Sequence, residues 1–171
     1  MALAAGGFVI LAGAHASAQE KQKYSFKQPS DAVAKYTQQL AIDVGDVPGH
    51  LVRVLELHTT YASDAPVYQG VKVKESWLRA VSDYTDGSGL VTGYTVGFLE
   101  NGDKVFGRYQ GTTKTTVGSD GAKTTRTDSV TTLTSGTGKF KGIHGMIRGQ
   151  GFTDFKTASG AVAEGEYWIE N

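Results

Sequence analysis

Ser135-Gly136-Thr137-Gly138-Lys139-Phe140-Lys141-Gly142-Ile143-His144-Gly145 places a glycine at almost every point where a backbone must bend sharply, with one large aromatic among them. Glycine reaches positive φ at no steric cost, so it collects at hairpin turns, bulges and barrel corners. The segments on either side alternate like strands. The stretch predicts the tight corner of an all-β barrel, with Phe140 turned inward as a plug. Gly-x-Gly also suggests a phosphate loop, but that motif needs G-x-x-x-x-G-K-[ST] opening a helix. Here Phe140 follows Gly138-Lys139, Leu133 stands where the first glycine belongs, and residues 146–155 carry no helical stripe.

Working outward, the period is two. Residues 51–61, 71–84, 90–100, 104–117, 123–134, 146–157 and 161–170 read as strands by their Val, Leu, Thr and aromatic content. Asn101-Gly102 is the strongest two-residue hairpin signal, and Asp86-Gly87-Ser88-Gly89, Ser119-Asp120-Gly121 and Ser159-Gly160 supply further turns. The Thr-rich run over 112–137 reads as strand, because threonine is β-branched and suits a pleated face. Residues 43–50 are turn chemistry. Residues 30–40 suit either a short helix capped by Ser30 or Asp31, or a first extended edge. Residues 20–28 read as a loose polar leader. Strands joined by short turns, with no helix for a parallel crossover, predict an eight-stranded antiparallel up-and-down β-barrel. That barrel spans 45–171, preceded by a leader and first edge segment over 19–44.

Residues 1–18 are almost wholly apolar or small, contain Phe8-Val9-Ile10-Leu11, and end in Ala16-Ser17-Ala18. This predicts a cleavable secretory signal peptide and a secreted or periplasmic protein. Its removal leaves a chain of single-domain size, able to bury a substantial core. The chain has no cysteine, which excludes disulfides, thiolate metal sites and cysteine nucleophiles. Seventeen basic and seventeen acidic residues cancel. No basic field is present to hold nucleic acid or an anionic membrane, and neither partner is expected.

Alternation sorts each strand into two faces. Val52, Val54, Glu56, His58 and Thr60 share one face of the first long strand; Leu51, Arg53, Leu55 and Leu57 share the other. Both are apolar, so one fills the lumen and the other needs a cover. The Arg53/Leu55/Leu57 face is the expected contact of a homo-oligomer, a dimer or trimer. On the next strand Glu75 shares a face with Val71, Val73, Trp77, Arg79 and Val81. A carboxylate in an apolar lumen has its charged form disfavoured, which suits proton transfer or the holding of a polar ligand group. A structural pair with Arg79 or Arg108 is the alternative. Tyr94 is either a hydrogen-bond donor to a ligand or a satisfied core tyrosine. His58 with Glu56 and Glu75 makes a possible metal set, but such sets occur by chance; no metal and no cofactor is expected. No G-x-S-x-G elbow is present.

The glycine corner resembles the G-G-x-G-x-F-x-G-x-x-G signature shared by allene oxide cyclases and dirigent proteins, which fold as eight-stranded antiparallel barrels. Gly136, Gly138, Phe140, Gly142 and Gly145 match it, and Ser135 replaces the first glycine. Val54-Leu55-Glu56-Leu57-His58 resembles the V-x-E-[IL]-N strand of plant allene oxide cyclases, and Ala65-Pro66-Val67-Tyr68 resembles their S-P-A-Y segment. The resemblance implies that Glu56 stabilises charge in a ring closure. It implies a water site holding Pro66, where His58 replaces the asparagine. That family's pocket cysteine has no counterpart here.

Three functions follow as expectations. The first is an isomerase or cyclase of allene oxide cyclase type, acting on a small hydrophobic molecule in the lumen through Glu56 or Glu75. His58, Pro66, Trp77, Tyr94 and Phe140 are its candidate ligand-binding residues. The second is a non-catalytic barrel that binds a hydrophobic ligand. The third is a dirigent-like protein that steers the stereochemistry of phenolic coupling.

Overall fold

A computed structural model describes residues 20–155 and 159–170. The expected signal peptide, residues 1–18, lies outside the described residues. The architecture is all-β. Ten strands form in chain order: β1 (Gln22–Lys27), β2 (Val33–Asp43), β3 (His50–Thr60), β4 (Val67–Tyr68), β5 (Val71–Thr85), β6 (Ser88–Leu99), β7 (Lys104–Val117), β8 (Lys123–Gly136), β9 (Ile143–Thr153) and β10 (Ser159–Ile169). One 3-10 turn, Gly138–Phe140, is the single helical element among the described residues.

The strands form one antiparallel sheet in the order β1-β10-β9-β8-β7-β6-β5-β3-β2, with the short β4 paired to β5. The expectation of eight strands in a closed barrel is corrected in two ways. The described residues form ten strands, and their hydrogen-bonded ladder stays open, because β1 pairs with β10 and β2 with β3 but not with each other. The concave face is nonetheless enclosed by side chains near this seam. Tyr24 of β1 lies 5.2 Å from the Tyr68 ring, and Phe26 meets Tyr61 edge-on at 5.8 Å.

The leader reading of residues 20–28 is also corrected. Gln22–Lys27 is a strand, because Tyr24 and Phe26 alternate inward and their backbones pair with Gly165 and Ala163. Residues 33–43 are the extended edge rather than a helix, and β2 is exposed along all eleven residues.

The glycine corner forms as its composition predicts. Gly138 and Gly142 adopt φ of 53° and 79°, a region where a side chain is strained. A Cβ on Gly142 would also fall on the Glu170 carbonyl oxygen. The turn drives Phe140 to complete burial, with its ring edge-on to Tyr68 at 6.3 Å. Around it Tyr24, Val73, Leu99, Val105, Leu133, Ile143 and Tyr167 form the main core, which closes one end of the coiled sheet.

At the start of β3, His50 joins two acids. Its Nδ1 lies 2.6 Å from Asp46 Oδ1 in the β2–β3 hairpin, and its Nε2 lies 2.8 Å from Asp83 Oδ1 on β5. These bonds, Asp83's first and then Asp46's, raise the His50 pKa. His50 in turn is the chief cause holding Asp46 below the usual carboxylate range.

Two outcomes are expected. Phe140→Ala removes a fully buried ring and should cost about 3–5 kcal/mol in urea unfolding. The His50 clasp should be strongest at mildly acidic pH. His50's raised pKa gives stability that is fully present below the unfolded value of about 6.5 and is lost as pH rises through the folded value. Asp46's depressed pKa gives stability that is lost as pH falls through its own folded value. An NMR titration should find the His50 midpoint above that of a free histidine, and Asp83→Asn should bring it down.

Candidate functional site

Strand parity decides what a ligand would meet. On β3, Leu55 is 7% exposed and Val54 is 56% exposed. Leu55 and Leu57 therefore point to the concave face, while Val54, Glu56 and His58 point out. On β5 an extra residue breaks the period. The register with β6 shifts between Val73 and Glu75, so that both Val73 and Ser76 face inward. Such a bulge re-aims every residue after it. Val73, Ser76, Leu78, Ala80 and Ser82 line the concave side, and Glu75, Trp77 and Arg79 face out. On β6, Val91, Thr95 and Gly97 face in, and Tyr94 is 61% exposed.

The lumenal placement expected for Glu75 and Tyr94 is thus overturned, and Glu56 stands on the outer face as well. For Glu75 the reason is the bulge, which no composition reveals. The Arg53/Leu55/Leu57 face expected to contact another subunit is instead the inner face.

The structure does bring most of these residues together, on the outside. His58 and Trp77 are cross-strand partners and stack at 4.0 Å with planes 10° apart. His58 Nε2 lies 2.8 Å from Glu75 Oε2. The Arg79 guanidinium covers the Trp77 ring at 5.3 Å and donates from Nε to Glu56 at 2.7 Å. Thr37 of β2 donates to the other Glu56 oxygen at 2.6 Å. The Thr37 hydrogen bond is the main cause that holds the Glu56 pKa down, opposed by desolvation and aided by Arg79. A carboxylate so held is ionised and occupied, which suits a clasp joining β2, β3 and β5 better than a proton donor. The structural pairing with Arg79 considered for Glu75 is made by Glu56. Tyr94 lies further along the same face, with the Arg108 guanidinium 5.9 Å from its ring. Among the described residues no three His, Cys, Asp or Glu side chains come together as a metal set.

The concave side holds a cavity of about 460 Å³, walled by residues such as Leu55, Leu78, Val91, Thr95, Tyr109 and Thr131. Pro66 lines it; Phe140 lies in the core beneath and does not reach it. Among the described residues no Asp, Glu, Lys, Arg or His side chain lines this cavity. Its ionisable lining is tyrosine. Burial pushes the phenols of Tyr24, Tyr61, Tyr68, Tyr84 and Tyr109 up, so they stay neutral donors. Tyr61 pairs with the Ser76 hydroxyl at 3.0 Å and Tyr84 with that of Thr113 at 2.9 Å, and Thr113 in turn meets Thr127 at 3.1 Å. A cleft of about 1100 Å³ adjoins it at the seam and shares Phe26, Gln28 and Ala161.

Sequence reasoning missed this wall. A usable signal was present: glycine or threonine at alternate positions in Gly93-Tyr94-Thr95-Val96-Gly97, with Gly107 and Gly111 on either side of Tyr109 along the next strand. Small residues at a two-residue period mark a strand face where backbones or ligands approach closely. No protein-family profile, curated protein or solved structure matches the chain.

Proposed function

We propose that the chain is a non-catalytic binder of a small hydrophobic molecule, which occupies the concave cavity. One observation supports this most directly: the wall is apolar and hydroxyl-bearing, with no acid or base among its side chains in the described residues. A volume of about 460 Å³ falls within the range of small-molecule sites, roughly 300–1,000 Å³. Apolar surface removed from water there contributes about 25 cal/mol per Å² before association costs. The tyrosine and threonine hydroxyls can exchange their mutual bonds for bonds to a polar group on the ligand, which sets orientation.

A cyclase of allene oxide cyclase type would need a carboxylate beside its substrate. Glu56 and Glu75 are on the opposite face, each already bonded. A dirigent-like role needs no such group, and the same neutral wall suits it. The two readings part on one point: only a dirigent-like protein biases product stereochemistry when an oxidant and a phenol are supplied.

The homo-oligomer stands as a proposal on a different surface from the one expected. Leu40, Ile42, Val54, Val81 and Tyr94 are exposed on the outer face of β2, β3, β5 and β6, beside the free edge of β2. An exposed apolar face bordering an unpaired edge strand favours association with a second copy.

The cavity is tested by filling it. Gly97 lines it, and a Cβ there would meet nothing closer than 3.8 Å. Gly97→Leu should weaken binding of the neutral fluorophore N-phenyl-1-naphthylamine at least 10-fold, whereas Glu56→Gln with Glu75→Gln should leave it within 2-fold. Loss of binding in the double glutamine variant would instead favour a ligand on the outer face. Light scattering on purified protein should give a dimer or trimer, reduced to monomer by Leu40→Asp with Val54→Asp; a wild-type monomer at high concentration contradicts the oligomer.

A further inference from the structure

We infer that Arg53 and Ser82 form an anion subsite at the rim of the cavity, and that the ligand is an apolar molecule bearing one carboxylate. This deepens the cavity reading and rests on it.

Arg53 shares the inner face of β3 with Leu55 and Leu57, both of which line the cavity. Directly across on β5 stands Ser82, which is completely buried. The Arg53 Nε and the Ser82 Oγ are both buried without a hydrogen-bond partner. Buried polar atoms are almost always paired, so two orphans on one rung of a sheet need an explanation. The Arg53 guanidinium lies over the Tyr84 ring, 5.4 Å from its centre, and Tyr84 is itself a wall residue. That stack sets the guanidinium against a wall residue of the cavity, just behind the lining.

No acid neutralises it. Arg79 pairs with Glu56 and Arg126 with Asp128, but Arg53 forms no ion pair among the described residues. Asp43, further along β2 on the inner face, accepts the Gly45 N–H. Arginine does not deprotonate in proteins, so this charge persists at every working pH. A guanidinium presents paired N–H groups at the spacing of carboxylate oxygens, and charge-assisted bonds of that kind are the strong ones. The Ser82 hydroxyl, on the adjacent strand, can donate to the same anion. The ligand's apolar body would then extend from this rim along Leu55, Leu78 and Val91.

Isothermal titration with 2-naphthoate and its neutral methyl ester tests the subsite. Wild-type protein should bind both, the anion at least 10-fold more tightly. Arg53→Gln should lower naphthoate to the level of the ester and leave the ester unchanged; Ser82→Ala should weaken naphthoate alone. Arg53→Lys keeps the charge but loses the fork, and should fall between. Should Arg53→Gln fail to fold, the wild-type preference and the Ser82→Ala and Arg53→Lys variants still decide. Equal binding of ester and anion by wild-type protein overturns the subsite while leaving the cavity standing. Binding of neither probe removes the cavity reading as well.

Discussion

One end of the coiled sheet is solid, and the interior is organised from that end. Phe140 is completely buried beneath Tyr68, with Ile143, Leu133 and Val105 around it. The ring reaches that place because Gly138 and Gly142 turn the chain through conformations that other residues avoid. With one end filled by large side chains, the strands above it bring threonine, serine and glycine in among the leucines and tyrosines, and the space is not filled. The cavity is the space that a mixed wall of leucine, tyrosine, threonine and glycine leaves above a large-residue floor. Its neutrality has the same origin, since residues that face a desolvated interior are selected against carrying charge.

The outer face handles its charges differently. Glu56, Glu75, His58 and Arg79 are not isolated in apolar surroundings; each carboxylate has a guanidinium, imidazole or hydroxyl partner within 2.8 Å. These contacts cross β2, β3 and β5, so they tie the exposed edge strand to the sheet. Arg53 is the exception to both patterns. It is charged, it faces inward, and it forms no ion pair among the described residues. Its stack on Tyr84 supplies part of what a counter-ion would, because an aromatic face attracts a cation.

Much of the strand pattern was legible. The Asn101-Gly102 hairpin, the β7 limits at Lys104 and Val117, and the inward Phe140 all follow from local rules of turn chemistry and alternation. Two strands were not legible. Gln22–Lys27 is polar in composition, and only its pairing with β10 makes it extended. Val67–Tyr68 is too short to show any period. The candidate site fared worse. Glu56, His58, Glu75 and Trp77 do gather, but outside the cavity, while Pro66 lines it. On β3 both faces are apolar, so alternation could not choose between them; on β5 a single extra residue at Lys74 reversed the faces.

The sequence by itself determined an antiparallel all-β chain, its turns and the inward plug, because each depends on residues close together along the backbone. Tertiary structure alone decided which face of each strand is concave, where the ladder stays open, and that Arg53 and Ser82 stand opposite each other without partners. Those outcomes depend on register between strands, and register is a relation between distant segments that no single segment encodes.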